Sequence, residues 1–157
     1  MIKTNAMRLL ELANIAFTAI EYEVDEDDLS GVHVAKQINV PEEQVFKTLV
    51  AKGEKKGYLV FCIPVAEELN LKKAATIVGD KKIELVAVKE LLPLTGYIRG
   101  GCSPIGMKKK FPTYVDETAV LFDEITISAG VRGCQLLVER EKLLNFLDAT
   151  LCELTIS

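Results

Sequence analysis

The sequence predicts a single α+β domain, built on a mixed, largely antiparallel and curved sheet with helices on its flanks. Three observations carry this. Apolar runs of strand length alternate with capped, helix-periodic stretches, but without the regular rhythm of a doubly wound sheet. Neighbouring strands are joined by short glycine turns, GEKKG at 53–57 and AGVRG at 129–133, which bring strands together antiparallel. And 157 residues with 49% hydrophobic content suit one core, with no linker, repeat or low-complexity segment to divide them. Residues 1–157 are therefore expected to form one domain.

Taken in order, Thr4 or Asn5 caps a first helix whose apolar stripe is Leu9, Leu12, Ala13 and Ala16. FTAIEYEV, 17–24, alternates Thr18, Ile20, Tyr22 and Val24 against Ala19, Glu21 and Glu23, the pattern of a strand with one wet face. DEDD at 25–28 enters a turn, Ser30 opens a short helix through Asn39, and Pro41 starts another with Glu42 and Glu43 at its positive end. Val45–Ala51 and Tyr58–Val65 form a hairpin, and the second strand, apolar on both faces, belongs in the centre of the sheet. Asn70 caps a helix that Gly79 ends. Ile83–Val88 is either a short strand or the approach to a helix, and Lys89–Leu94 is a helical turn. Short strands follow at 97–100, 112–115, 125–128 and 135–138. A closing helix spans 139–147, and 152–156 is a candidate last strand.

Composition excludes several classes of function. The longest apolar runs fall far short of the roughly 20 residues that cross a bilayer, and the N-terminus lacks the unbroken apolar segment of a signal peptide. The chain is expected in the cytoplasm, away from membranes. Its four cysteines have neither zinc-knuckle nor dithiol spacing and there is one histidine, so neither a metal nor another cofactor is expected. A net charge of −4 is unlike a stand-alone duplex binder, yet permits local contact with a nucleic-acid end.

The candidate chemistry is concentrated in few residues. Lys47 shares a strand face with Val45 and Leu49, while Phe46, Thr48 and Val50 point the other way. It either faces solvent or stands at a pocket edge, where a partly desolvated ammonium can hold a phosphate, a carboxylate or a developing oxyanion. In YIRGGCSPIG, 97–106, Gly100 and Gly101 permit positive φ and close approach of a ligand, Ser103 is held extended by Pro104, and Pro104 donates no amide. The N–H groups of Gly101, Cys102 and Ser103 are then free to face a ligand, unless the segment is a bare turn. Cys102 reads as a small buried thiol, since a nucleophile needs a base and His33 is not placed near it by the sequence. No Ser–His–Asp arrangement or GxSxG is present. SAGVRG, 128–133, is a second glycine turn, in which Arg132 either pairs with a phosphate or caps the hairpin. The run Lys108–Lys110 is a solvated face, or touches a polyanion beside the loop. Tyr22 packs in the core or reaches a cleft with its hydroxyl.

The combination of VFKTLV, TGYIRGGCSPIGMKK and ISAGVRGCQL, in that order, resembles the YbaK/EbsC family, free-standing relatives of the editing domain of bacterial prolyl-tRNA synthetases. The resemblance runs from about Thr4 to the C-terminal helix. It implies an α+β fold with a mixed sheet and a cleft, and a deacylase that clears mischarged tRNA(Pro), with Cys-tRNA(Pro) the usual substrate of the YbaK branch. The family's essential lysine maps onto Lys47 and its early-strand tyrosine onto Tyr22. The glycine loop maps onto Gly100, Gly101, Ser103, Pro104 and Gly106, and the second glycine turn onto Ser128, Gly130 and Gly133. On this reading Lys47 binds the terminal adenosine phosphate or orients the carbonyl, and the Gly101 and Cys102 amides stabilise an oxyanion. The substrate's own thiol attacks its carbonyl, a cyclisation of lyase type. The implied partners are the acceptor end of tRNA(Pro) and a complex with prolyl-tRNA synthetase. Deacylation of Ala-tRNA(Pro), or a non-catalytic aminoacyl- or nucleotide-binding regulatory module, are the alternatives.

Overall fold

A computed structural model describes residues 2–156. The first helix, α1 (Asn5–Leu12), starts where Thr4 accepts the Met7 N–H. It buries Ala6, Met7 and Leu10 and leaves Leu12 70% exposed. The predicted stripe is thus displaced, because the helix stops before Ala13 and Ala16 can extend it. Strand β1 (Phe17–Glu21) ends earlier than the alternation suggests. Tyr22 lies just past it, its N–H still bonded to Gly133 O at 2.9 Å. Ser30 caps α2 (Gly31–Ile38), and only a single 3-10 turn, Glu42–Gln44, follows Pro41.

The predicted hairpin forms as β2 (Phe46–Gly53) and β3 (Gly57–Pro64), with Lys47 opposite Ile63; its turn is tighter than expected, because Gly53 and Gly57 pair with each other. Asn70 caps α3 (Leu71–Val78), and Gly79 terminates it at φ +79°. The undecided stretch divides: β4 is Ile83–Leu85, and α4 (Val88–Thr95) begins three residues later. Then come β5 (Thr113–Asp116), β6 (Glu124–Ser128), β7 (Cys134–Glu139), α5 (Arg140–Leu147) and β8 (Thr150–Cys152). The last strand is earlier than expected; past it only Thr155 pairs, with Leu69. The predicted strand at 97–100 is instead a turn, closed by the Gly101 N–H on Ile98 O at 2.9 Å with Gly100 at φ +85°.

The strands hydrogen-bond as two sheets. One is antiparallel, β1-β7-β6; the other is mixed, β4-β2-β3-β5-β8, parallel at β3–β5 and β5–β8. As its sequence implies, β3 is central, with Phe61 and Ile63 fully buried. The sheets meet at one parallel bridge, Val45 with Thr126. The main core fills the space between them and under α1 and α5. A second cluster lies beneath α3 and a third beneath α2.

That bridge positions the functional region. On its outer edge β2 meets β6 only at Val45 and meets β4 only from Ala51, with Val86 N–H on Val50 O at 3.0 Å. Between these points the strand edge has no neighbouring strand. An unpaired edge must be covered or solvated, and here a cleft opens along it.

Candidate active site

The cleft has a volume of about 440 Å³. One wall is Val45 and the β2 residues Phe46 to Val50, and carries Lys47. A second is the segment Leu85–Val88 with Leu91 of α4, and is wholly apolar. The start of α2 (Ser30, Gly31) forms a third, Arg99, Gly100 and Cys102 form the fourth, and Ser128 and Gln135 lie between. Gly31 is required for this closeness: a Cβ there would stand 2.3 Å from Val65 Cγ1.

Lys47 is half-buried, and burial lowers its pKa below the ordinary lysine value, with Glu68 and Glu67 opposing the shift. It makes no ion pair among the described residues. It is therefore an ammonium already stripped of part of its water and not neutralised by a carboxylate, a state suited to an incoming negative charge.

The opposite wall is backbone, and it is braced. Gly101 lies flush against the second glycine turn, where a Cβ would meet Val131 C and Arg132 N at 3.1 Å. Tyr97 is wedged between the two turns. Its hydroxyl donates to Ile105 O, and its ring lies 2.9 Å from where a Gly130 Cβ would stand. Burial pushes the Tyr97 phenol up to about 12, so it remains a donor. Ser103 is fully buried and accepts the Ile105 N–H, and Ser128 accepts the Gly130 N–H. Both serines stiffen their turns.

The structure thus brings Lys47, Gly100, Cys102 and Ser128 onto one cleft. Gly101, Ser103, Pro104, Gly106 and Gly130 stand behind it as scaffold. Tyr22 packs with the cluster under α2 and is not on the cleft wall. Two sequence expectations are corrected. The Gly101 N–H is not free, because it closes the turn onto Ile98 O; the Cys102 N–H has no acceptor among the described residues, and Cys102 lines the cleft. And Arg132 is a brace: its Nε donates to Arg99 O at 2.9 Å and its Nη1 pairs with Glu26 at 3.3 Å. His33 sits between Asp25 and Asp28, away from the cleft lining. The Cys102 thiol is pushed up to about 12 by burial and by Cys62, so it stays protonated at neutral pH and is a poor nucleophile.

Three residues were missed from the sequence. Arg99 stands exposed on the wall, directly before the paired glycines. Thr48 lies within 3.8 Å of Cys62 Sγ and lines the cleft. Gln135 is buried with its Oε1 lacking a partner among the described residues. A polar residue inside the apolar strand CQLLV is the signal that could have found it.

Known proteins align with this arrangement. The aminoacyl-tRNA editing domain model matches residues 30–146. Over 153 residues the chain is 45% identical to EbsC of Enterococcus faecalis (strain ATCC 700802 / V583), which is named as a candidate Cys-tRNA(Pro)/Cys-tRNA(Cys) deacylase; the match covers 98% of this chain and 93% of that one. A proline–tRNA ligase of Thermosipho africanus (strain TCF52B) is 33% identical over 76 residues, 48% of this chain and 13% of the ligase. In fold, the crystal structure of a candidate trans-editing enzyme for prolyl tRNA synthetase superposes with a TM-score of 0.82 at 23% identity, over 97% of this chain and 93% of that one. The chain belongs to the aminoacyl-tRNA editing domain family.

Proposed function

We propose that this chain, acting as one domain over residues 1–157, is a trans-editing deacylase that clears Cys-tRNA(Pro). The observation that carries the reading is the cleft along the open edge of β2, which brings together an unpaired, half-buried Lys47 and Cys102, whose N–H has no acceptor among the described residues. The relationship to EbsC supports the substrate class.

An aminoacyl ester is already activated, so hydrolysis needs placement and charge stabilisation more than a strong protein nucleophile. Lys47 draws the ester carbonyl into the cleft and balances the charge that develops on its oxygen. The Cys102 N–H is the second donor to that oxygen, and its thiol is a bystander. The buried Oε1 of Gln135 accepts from the substrate's α-ammonium. The attacking atom is the substrate's own sulfur. It bonds to the carbonyl carbon, the ester C–O bond breaks, and the thiol proton passes to the departing ribose oxygen. Water then opens the resulting thiolactone to free cysteine. The high Cys102 pKa, and the placement of His33 against Asp25 and Asp28, favour this over attack by the protein.

The acceptor end alone enters the cleft, and prolyl-tRNA synthetase holds the tRNA body, which reconciles the acidic chain with a polyanionic substrate. The test is a deacylation panel of Cys-tRNA(Pro), Cys-tRNA(Cys) and Ala-tRNA(Pro) with the wild type and Lys47→Ala. Rapid loss of cysteine from tRNA(Pro) that disappears in the variant is expected. Turnover of the alanyl ester at the cysteinyl rate would remove the thiol from the mechanism, and no turnover at all would leave a binding module.

A further inference from the structure

Charge is divided unevenly around the cleft. Glu67 and Glu68 act on Lys47, Asp25 and Asp28 flank His33, and Glu26 is held by Arg132. The segment 96–110 is the reverse: in a chain of net charge −4 it carries Arg99, Lys108, Lys109 and Lys110 and no Asp or Glu. All four cations are exposed, and none joins an ion pair among the described residues.

The fold returns this segment onto itself. The Lys108 N–H donates to Thr95 O at 3.1 Å, and its side-chain Cγ lies 3.5 Å from where a Gly96 Cβ would stand. The lysine run therefore begins beside the residue that lies three positions before Arg99. Arg99 is the member that reaches the cleft wall, and its backbone is fixed on both sides, by Arg132 Nε on its carbonyl and by the Ile98–Gly101 turn. The position of Arg99 is rigid while its guanidinium is unengaged, the condition for a pre-organised phosphate fork.

We propose that Arg99 and Lys108–Lys110 form a phosphate track along which the single-stranded acceptor end of an RNA leaves the cleft, with Arg99 on the phosphate nearest the ester. This rests on the deacylase reading of the cleft. A polyanion leaving past the Asp25–Asp28 turn or past Glu67 and Glu68 meets carboxylates, so the 96–110 surface is the favourable way out. Lys47 is then left for the carbonyl.

Two measurements test it. The first is binding of an uncharged RNA minihelix with a single-stranded CCA end, followed by anisotropy over a KCl series. Each phosphate contact on a single strand contributes about 0.7 to the slope of log K against log salt, so Arg99→Ala flattens the slope by about 0.7 and the Lys108→Ala/Lys109→Ala/Lys110→Ala variant by about 2. The second compares KM for the cysteinyl minihelix with KM for 3′-cysteinyl adenosine, which lacks that phosphate. The KM advantage of the minihelix falls about tenfold in Arg99→Ala and is partly restored in Arg99→Lys, as expected for loss of one charge-assisted contact. Unchanged slopes in both variants, or an equal rise of KM for both esters, would overturn the track. If the wild type hydrolyses neither ester, the deacylase reading fails while the salt slopes still decide the proposal.

Discussion

The two walls that face each other across the cleft are built on opposite plans. The β2 wall presents a side chain: Lys47 projects from a strand whose outer edge is open, and little besides burial and two glutamates controls it. The wall of Arg99, Gly100 and Cys102 is a loop backbone that carries the unengaged Arg99 side chain, and the residues around it act as braces: Tyr97 on Ile105 O, Ser103 on the Ile105 N–H, Arg132 on Arg99 O. A charge that must meet the substrate stays adaptable, while dipoles that must not move are fixed by several groups. The first wall should fail chemically without failing structurally, and the second should do both together.

The largest effect is expected at Lys47. Lys47→Ala should lower kcat/KM for a cysteinyl ester by about a hundredfold or more, the scale of losing a charge-stabilising donor. Its urea midpoint should remain close to the wild type, because removing a partly desolvated, unpaired ammonium also removes the burden of burying it. The same burial fixes a pH dependence. An ammonium with a depressed pKa loses its proton at lower pH than a free lysine, so blank-corrected kcat/KM should fall on the alkaline side at a midpoint below 10.5. Glu67 and Glu68 raise that pKa, so Glu67→Gln/Glu68→Gln should move the midpoint further down. An upward movement would show that Lys47 is not the titrating group.

The backbone wall should respond next. Gly101→Ala places a methyl group 3.1 Å from main-chain atoms of Val131 and Arg132 that cannot rotate aside. Gly130→Ala adds a side chain at φ +98° and 2.9 Å from the Tyr97 ring. Gly101→Ala should destabilise by about 1–3 kcal/mol through overpacking, and Gly130→Ala by about as much through overpacking and left-handed strain. Each should also lower kcat by displacing the Cys102 N–H. Loss of stability with full activity would mean that this amide is not a donor to the substrate. Tyr97→Phe, which deletes one buried hydroxyl and its bond to Ile105 O, should cost about 1 kcal/mol, measured by the same unfolding.

The walls were also unequally legible in the sequence. The two-faced pattern around Lys47 follows from alternation, and the hairpin and the central place of β3 from a glycine turn and a strand apolar on both faces, all of which are local. The caps at Ser30 and Asn70 follow from side chains that bond their own backbone three residues on. The role of the glycine loop depends on contacts far along the chain. Nothing in YIRGGCSPIG shows that the Gly101 N–H is taken by Ile98, or that Arg132, 33 positions later, holds Arg99 in place. Without that contact the sequence leaves Arg132 open between pairing with a phosphate and capping the hairpin, and gives no sign that it braces Arg99. Tyr22 shows the same limit. Alternation puts it on the apolar face, and it does pack with the α2 cluster just past the end of β1, but nothing local shows which neighbours it meets.

The smallest effect should come from the residue that draws most attention in the sequence. Cys102 lines the cleft, so a nucleophilic or redox role for it is open to direct trial. Burial and its neighbour Cys62 hold its thiol near 12, which leaves almost no thiolate at neutral pH. Cys102→Ala keeps the backbone N–H and removes only the sulfur, so kcat for the cysteinyl ester should stay within about twofold of wild type, since the proposed donor is the amide. Alkylation of Cys102 by iodoacetamide in the wild-type chain, followed by peptide mapping, should be slow at pH 8 and accelerate only far above it. Fast alkylation together with a large loss in Cys102→Ala would move the chemistry from the backbone to the thiol. The contrast between a side-chain wall and a backbone wall would then no longer hold.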